Sequence, residues 1–107
     1  MEEKLLRIIG KYGINNQLRK FNEEAFELEE AIINAENYNP LEEDTFTKMN
    51  CNLKANVEHI TEEIADVMVM LEQFKNYYDI SSEEITKIFW SKVDRQLGRI
   101  EKEVKDE

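Results

Sequence analysis

Two stretches of this chain space their apolar residues alternately three and four apart, and that spacing leaves little choice of fold. Leu18, Phe21, Ala25, Leu28, Ile32 and Ala35 form the first stripe; Val57, Ile60, Ile64, Val67, Leu71 and Phe74 form the second. Such intervals lay each set along one side of an α-helix as an a/d seam, whereas a half-buried strand needs an interval of two. No strand-like alternation occurs anywhere. Punctuation is sparse too, with three glycines and one proline in 107 residues. The sequence therefore predicts an all-α fold, an antiparallel helical bundle of four to five helices. It forms a single domain over residues 1–107, because a chain this short has room for one modest core.

A short helix is predicted over residues 2–12, closed by Gly13 as a left-handed cap. Asn15 or Asn16 is placed to cap a second helix running to about Asn37. The segment NYNPLEED breaks that helix, with Pro40 behind an Asn39 cap suited to opening a short helical turn. Residues 44–55 are weakly periodic and are assigned to a loop that holds some helix. A third helix is predicted over about 54–78. Ser81 with Glu84 makes a capping box for a last helix, which carries Ile85, Ile88, Phe89, Val93, Leu97, Ile100 and Val104 inward. Met68, Val69 and Met70, with Phe26 and Ile33, lie outside the two seams and add apolar surface on further sides. That excess predicts assembly into a homodimer or homotetramer.

The formal charge is −10, from 14 Lys and Arg against 24 Asp and Glu, with the acidic residues spread along the chain. Binding to a nucleic-acid backbone is disfavoured by that balance. Cys51 is the only cysteine, so neither an intrachain disulfide nor a thiolate zinc site is available. No apolar run approaches the roughly 20 residues that cross a membrane. The opening MEEKLLRIIGKYG is too short and too acidic for a signal peptide. A cytoplasmic protein without a membrane partner is expected.

Chemistry is suggested by a repeated acidic spacing: Glu24 and Glu27 in EEAFEL, then Glu63 and Asp66 in EEIADV. In the heptads defined above, Glu24 and Glu63 each take a g position and Glu27 and Asp66 each take a c position. When two helices pack antiparallel through a/d seams, the g flank of one faces the g flank of the other. The four carboxylates then converge on one edge if the vertical register allows, which sequence does not fix. Two carboxylates about 5 Å apart repel by roughly 3 kcal/mol at an effective dielectric near 20. Mg²⁺, or Mn²⁺, relieves such a cluster, because hard cations take carboxylate oxygens and keep waters for a phosphate-bearing substrate. Acidic residues are so common here that spacing alone is weak: Glu27 and Glu30 repeat the interval with no role assigned.

Three segments, YGINNQLRKFNEEAFELEEAI, HITEEIADVMVMLEQF and KVDRQLGRIEKE, resemble the all-α nucleoside triphosphate pyrophosphohydrolases of the MazG-like group, relatives of the helical dUTPases. The resemblance spans most of the chain and leaves residues 38–55 uncovered. It implies Mg²⁺-dependent cleavage of a (deoxy)nucleoside triphosphate between the α and β phosphates, giving a monophosphate and pyrophosphate. It places the metal ligands at Glu24, Glu27, Glu63 and Asp66. It makes Glu23 a candidate for water activation or for support of the ligands, and puts Lys92, Arg95 and Arg99 on phosphate oxygens. Of the carboxylates, Glu24 and Glu27 are the preferred proton acceptors. Gln17, two turns before the first acidic pair, is placed either to reach substrate or to serve a capping or surface role. One departure is the 35 residues between Glu27 and Glu63, more than is usual in the family.

Bland readings stand beside these. Lys92, Arg95 and Arg99 lie on one helical face and are also placed to pair with Glu101 or with neighbouring acids. His59 is a surface residue or an outer support for the acids. Tyr12, Phe21, Phe74, Tyr77, Tyr78, Phe89 and Trp90 suit core or interface more than base stacking. A di-iron carboxylate bundle would need Glu-x-x-His on two helices, and the residue three before His59 is Asn56. The remaining alternative is a non-enzymatic acidic helical protein-interaction module, which accounts for the charge but not for the matched pairs.

Overall fold

The computed structural model describes the backbone of residues 2–37 and 46–106, and the side chains of residues 3–37 and 54–105. Four helices make it up: α1 (Glu2–Tyr12), α2 (Ile14–Glu36), α3 (Phe46–Tyr77) and α4 (Ser82–Asp106). No strand occurs among the described residues. The helix over 46–53 extends α3 well before the predicted start at about 54, whereas the turn expected at Asn39 and Pro40 lies outside the described residues.

Gly13 separates α1 from α2 with φ 84° and ψ 153°, a conformation essentially restricted to glycine. Its N–H donates to the Ile9 carbonyl at 2.8 Å, and its own carbonyl accepts from the Gln17 N–H at 3.1 Å, so one residue ends α1 and begins α2. Neither Asn15 nor Asn16 is the N-cap. Gly13 holds that place, and the Asn16 side chain instead donates to the Tyr12 carbonyl at 2.6 Å, closing the end of α1.

Helices α2 and α3 run antiparallel. The register is set by Gln17 against Gln73, Phe21 against Phe74 at a ring-centroid distance of 5.7 Å, and Glu24 beside Glu63 and Asp66. Helix α1 folds back onto both, chiefly onto α3, and buries Ile9. The seam of α2 runs through 17, 21, 24, 28, 31 and 35, with Ala25 also half-buried, and that of α3 through 56, 60, 63, 67, 70 and 74, with Gln73 buried beside it. Both seams keep the predicted alternation of three and four, turned by about one residue. Leu18, Ile32, Val57, Ile64 and Leu71, predicted to be inside, are exposed as a result. Each helix carries apolar residues on two adjacent stripes, and the three-helix arrangement presents the one that also faces α1. Glu24 and Glu63 therefore sit within the seam itself rather than on its g flank.

The last helix departs from expectation. Helix α3 ends in a Schellman motif, with Asp79 at φ 53° in the left-handed position usually given to glycine. The Ile80 N–H donates to the Lys75 carbonyl at 2.9 Å and the Asp79 N–H to the Asn76 carbonyl at 3.2 Å. Lys75 Nζ then reaches Ser82 Oγ at 2.6 Å, and one half of the predicted capping box forms, with the Glu84 N–H donating to Ser81 Oγ at 3.1 Å. This turn carries α4 away from the other helices. From Ser82 to Lys105 every residue but the half-buried Val93 is exposed, so Ile85, Ile88, Phe89, Leu97, Ile100 and Val104 do not point inward within one chain. The radius of gyration, 18.8 Å, exceeds the roughly 13 Å of a compact domain of this length for the same reason.

Candidate metal centre

Three of the four carboxylates expected as metal ligands meet, because α2 and α3 supply them from facing turns, while Glu27 stays outside the group. Glu24, Glu63 and Asp66 each bring a carboxylate oxygen to within 4.8 Å of the others. Glu63 is 8% exposed and Glu24 half-buried, whereas Asp66 opens to solvent. One oxygen of Glu24 and one of Glu63, Oε2 in each, is buried with no hydrogen-bond partner. Buried carboxylate oxygens without partners are costly, and they are what a cation would satisfy.

The electrostatics agree with this geometry. Burial, then the Asp66 and Glu27 charges, hold Glu24 above the ordinary carboxylate value of 4.5, against the pull of Lys20. Burial, then Glu27 and Asp66, do the same to Glu63, against His59. Lys20 Nζ lies 3.6 Å from Glu24 Oε1, and His59 Nδ1 lies 4.0 Å from Glu63 Oε1, so His59 borders the cluster as an outer neighbour. The oxygen-only donor set and the orphaned oxygens fit Mg²⁺ or Mn²⁺, with Glu24, Glu63 and Asp66 as the residues to hold it.

A cavity of about 590 Å³ opens beside the cluster, lined by Glu24, Asp66 and Lys20 together with Ile8, Tyr12 and Val69. Its remaining wall is Gln17, Met70 and Gln73, all buried. Of the residues singled out by sequence, Glu24, Asp66 and Gln17 line this cavity, and Glu63 joins Glu24 and Asp66 in the adjoining cluster. Glu27 is exposed and outside the three-residue cluster, yet near enough for its charge to act on both Glu24 and Glu63. Glu23 is exposed and does not line the cavity. Lys92, Arg95 and Arg99 lie on the exposed α4 and line no part of this cavity within one chain.

Sequence reasoning missed Lys20, Met70 and Gln73 as wall residues. Lys20 had a signal, since it stands one helical turn before Glu24. Gln73 gave little signal, since it follows Glu72 just after the apolar run 67–71. The chain is thus a helical protein with an interhelical carboxylate cluster beside a cavity. Comparison with family models, curated proteins and solved structures finds no match. No helix among the described residues is long and apolar enough to cross a membrane.

Proposed function

We propose that this chain is a Mg²⁺-dependent nucleoside triphosphate pyrophosphohydrolase, cleaving between the α and β phosphates and acting in nucleotide-pool housekeeping. The observation that carries the reading is the convergence of Glu24, Glu63 and Asp66 within 4.8 Å, with two buried oxygens left unpartnered, beside a ligand-sized cavity that Glu24 and Asp66 line. The MazG-like character of the flanking residues supports the same conclusion.

In this reading Glu24, Glu63 and Asp66 hold the cation, which when bound neutralises triphosphate oxygens and makes water more acidic. Glu27, close to the cluster but free of it, is the carboxylate best placed to accept a proton from the attacking water. Glu23, exposed one residue before Glu24, is left with a supporting role. Lys20, which lines the cavity 3.6 Å from Glu24, offers a positive charge to the phosphates.

The protein acts as a homo-oligomer, because α4 cannot be stable as an isolated amphipathic helix with its apolar face in water. Lys92, Arg95 and Arg99 give the middle of α4 a basic row that complements the acidic α2 and α3. A second copy's α4 is the element by which that row reaches the carboxylate edge.

Incubation with a panel of nucleoside triphosphates and Mg²⁺ tests the activity through released pyrophosphate. Glu63→Gln is expected to abolish release while helical content and assembly persist. The exposed apolar face of α4 also suits a non-enzymatic interaction module, and absence of pyrophosphate from every triphosphate would favour that reading.

A further inference from the structure

We propose that the outer face of α1 carries a second anion site, a groove in which Lys4, Arg7 and Lys11 hold a small polyphosphate of two or three phosphate groups. The inference goes beyond the hydrolase reading and does not rest on it.

The sequence segregates its charge. Acids outnumber Lys and Arg by 24 to 14, yet residues 4–22 carry five Lys and Arg and not one Asp or Glu. Lys4, Arg7 and Lys11 stand three and four residues apart, so α1 lines them up along one side over roughly 10 Å. Leu5 and Ile9, on the neighbouring side, turn into the fold. All three cations are exposed, and no ion pair joins any of them to an acid among the described residues. Lys20 and Lys54, by contrast, each pair with the acid one turn on.

These side chains border a hollow, a groove of about 440 Å³ bounded by Lys4, Arg7 and Lys11 with Ile8 and Tyr12. Three cations around one hollow repel one another, and their donors, three on each ammonium and five on the guanidinium, have no acidic acceptor there. A phosphate chain supplies what they lack, since it carries charge at each phosphorus and its oxygens accept from several donors at once. Two larger occupants fit worse. A bilayer would need the apolar side of α1, which Leu5 and Ile9 commit to the fold. A nucleic-acid strand would run off this short row onto a chain whose formal charge of −10 repels its phosphates. Ile8 and Tyr12 also line the cavity beside the carboxylates, so the groove and that cavity share a wall.

Titration calorimetry with sodium tripolyphosphate in EDTA tests the site. Without a divalent cation the carboxylate cluster repels anions, so binding to the full-length protein reports the groove. Binding is expected, weakening as salt is added, and in ¹⁵N-labelled protein the amides of residues 4–12 should shift. Arg7→Gln/Lys11→Gln should weaken it at least about tenfold, because two charge-assisted donors are lost. Helical content should hold, since both side chains are exposed. Lys20→Met, a change in the neighbouring cavity, should leave the binding in place. No binding up to millimolar tripolyphosphate at low salt overturns the site, and so does equal binding by the double variant. Capture by phosphatidylserine vesicles without binding of free tripolyphosphate overturns it as well, in favour of a lipid contact. The hydrolase reading fails separately, because no arm of this experiment measures turnover.

Discussion

Replacing Leu97 and Ile100 on α4 by aspartate tests whether a second copy covers that helix. The two side chains are 53% and 54% exposed in the single chain. Fully burying a large aliphatic side chain is worth about 1.5–3 kcal/mol, so covering the exposed half contributes about 1 kcal/mol at each position. A two-fold contact uses each position twice, which gives about 4 kcal/mol for the pair of sites before any cost of burying new carboxylates. At about 1.4 kcal/mol per tenfold, assembly weakens at least about a thousandfold. The margin for that loss is small. Counted in the same way, Ile85, Ile88, Phe89, Trp90, Leu97, Ile100 and Val104 supply about 14 kcal/mol to a symmetric pair, near the upper part of the about 4–15 kcal/mol that association costs. Sedimentation equilibrium is the assay. The wild type should run at a multiple of its 12.8 kDa chain mass and Leu97→Asp/Ile100→Asp at the chain mass itself. Helices α1 to α3 should remain folded in the variant, since neither residue belongs to their seams. A wild type that stays at 12.8 kDa throughout the micromolar range, or a variant that assembles as the wild type does, refutes the reasoning.

Gly13→Ala should destabilise the chain by about 1–3 kcal/mol, read from urea unfolding, because φ 84° with ψ 153° penalises any side chain whatever the space around it. Glu24 and Glu63 have raised folded pKa values, so in EDTA their contribution to stability is complete below about 4.5 and is lost as pH rises through those values. The melting temperature should fall across that window, less steeply in Glu63→Gln, and Mg²⁺ should restore it at neutral pH. Lys20→Met should lower kcat/KM for a triphosphate by roughly ten- to a hundredfold at unchanged fold, measured by pyrophosphate release. Asp79→Gly should raise stability by a few tenths of a kcal/mol, about what relief of a left-handed non-glycine residue gives, scored by thermal unfolding.

Local signals in the sequence translated directly into structure. Gly13 ends one helix because glycine alone tolerates its backbone angles, and Ser81 with Glu84 opens α4 because the hydroxyl and the N–H are three residues apart. The carboxylate cluster was legible for a different reason. Glu24 and Glu63 share one heptad offset, so turning both helices by about one residue moved them together from the flank into the seam. The turn itself was not legible. Ala31 and Ile32, like Met70 and Leu71, are adjacent apolar residues, and periodicity does not say which of two adjacent stripes faces inward. Nor does it say whose surface covers a stripe, which is why α4 was expected to fold onto its own chain. The Gln17–Gln73 contact joins residues 56 positions apart and depends on a register no single helix contains.

The turn at Tyr78, Asp79 and Ile80 leaves no slack between α3 and α4. Two main-chain hydrogen bonds and the Lys75 to Ser82 contact brace it, so α4 projects from the end of α3 as a stiff strut rather than a tethered arm. Whatever α4 grips is consequently held at a set distance and angle from the carboxylates. Inserting one residue into the first turn of α4 would rotate the rest of that helix by about 100° around its own axis, redirecting its oily side and its arginines while every contact among the first three helices stayed as it was.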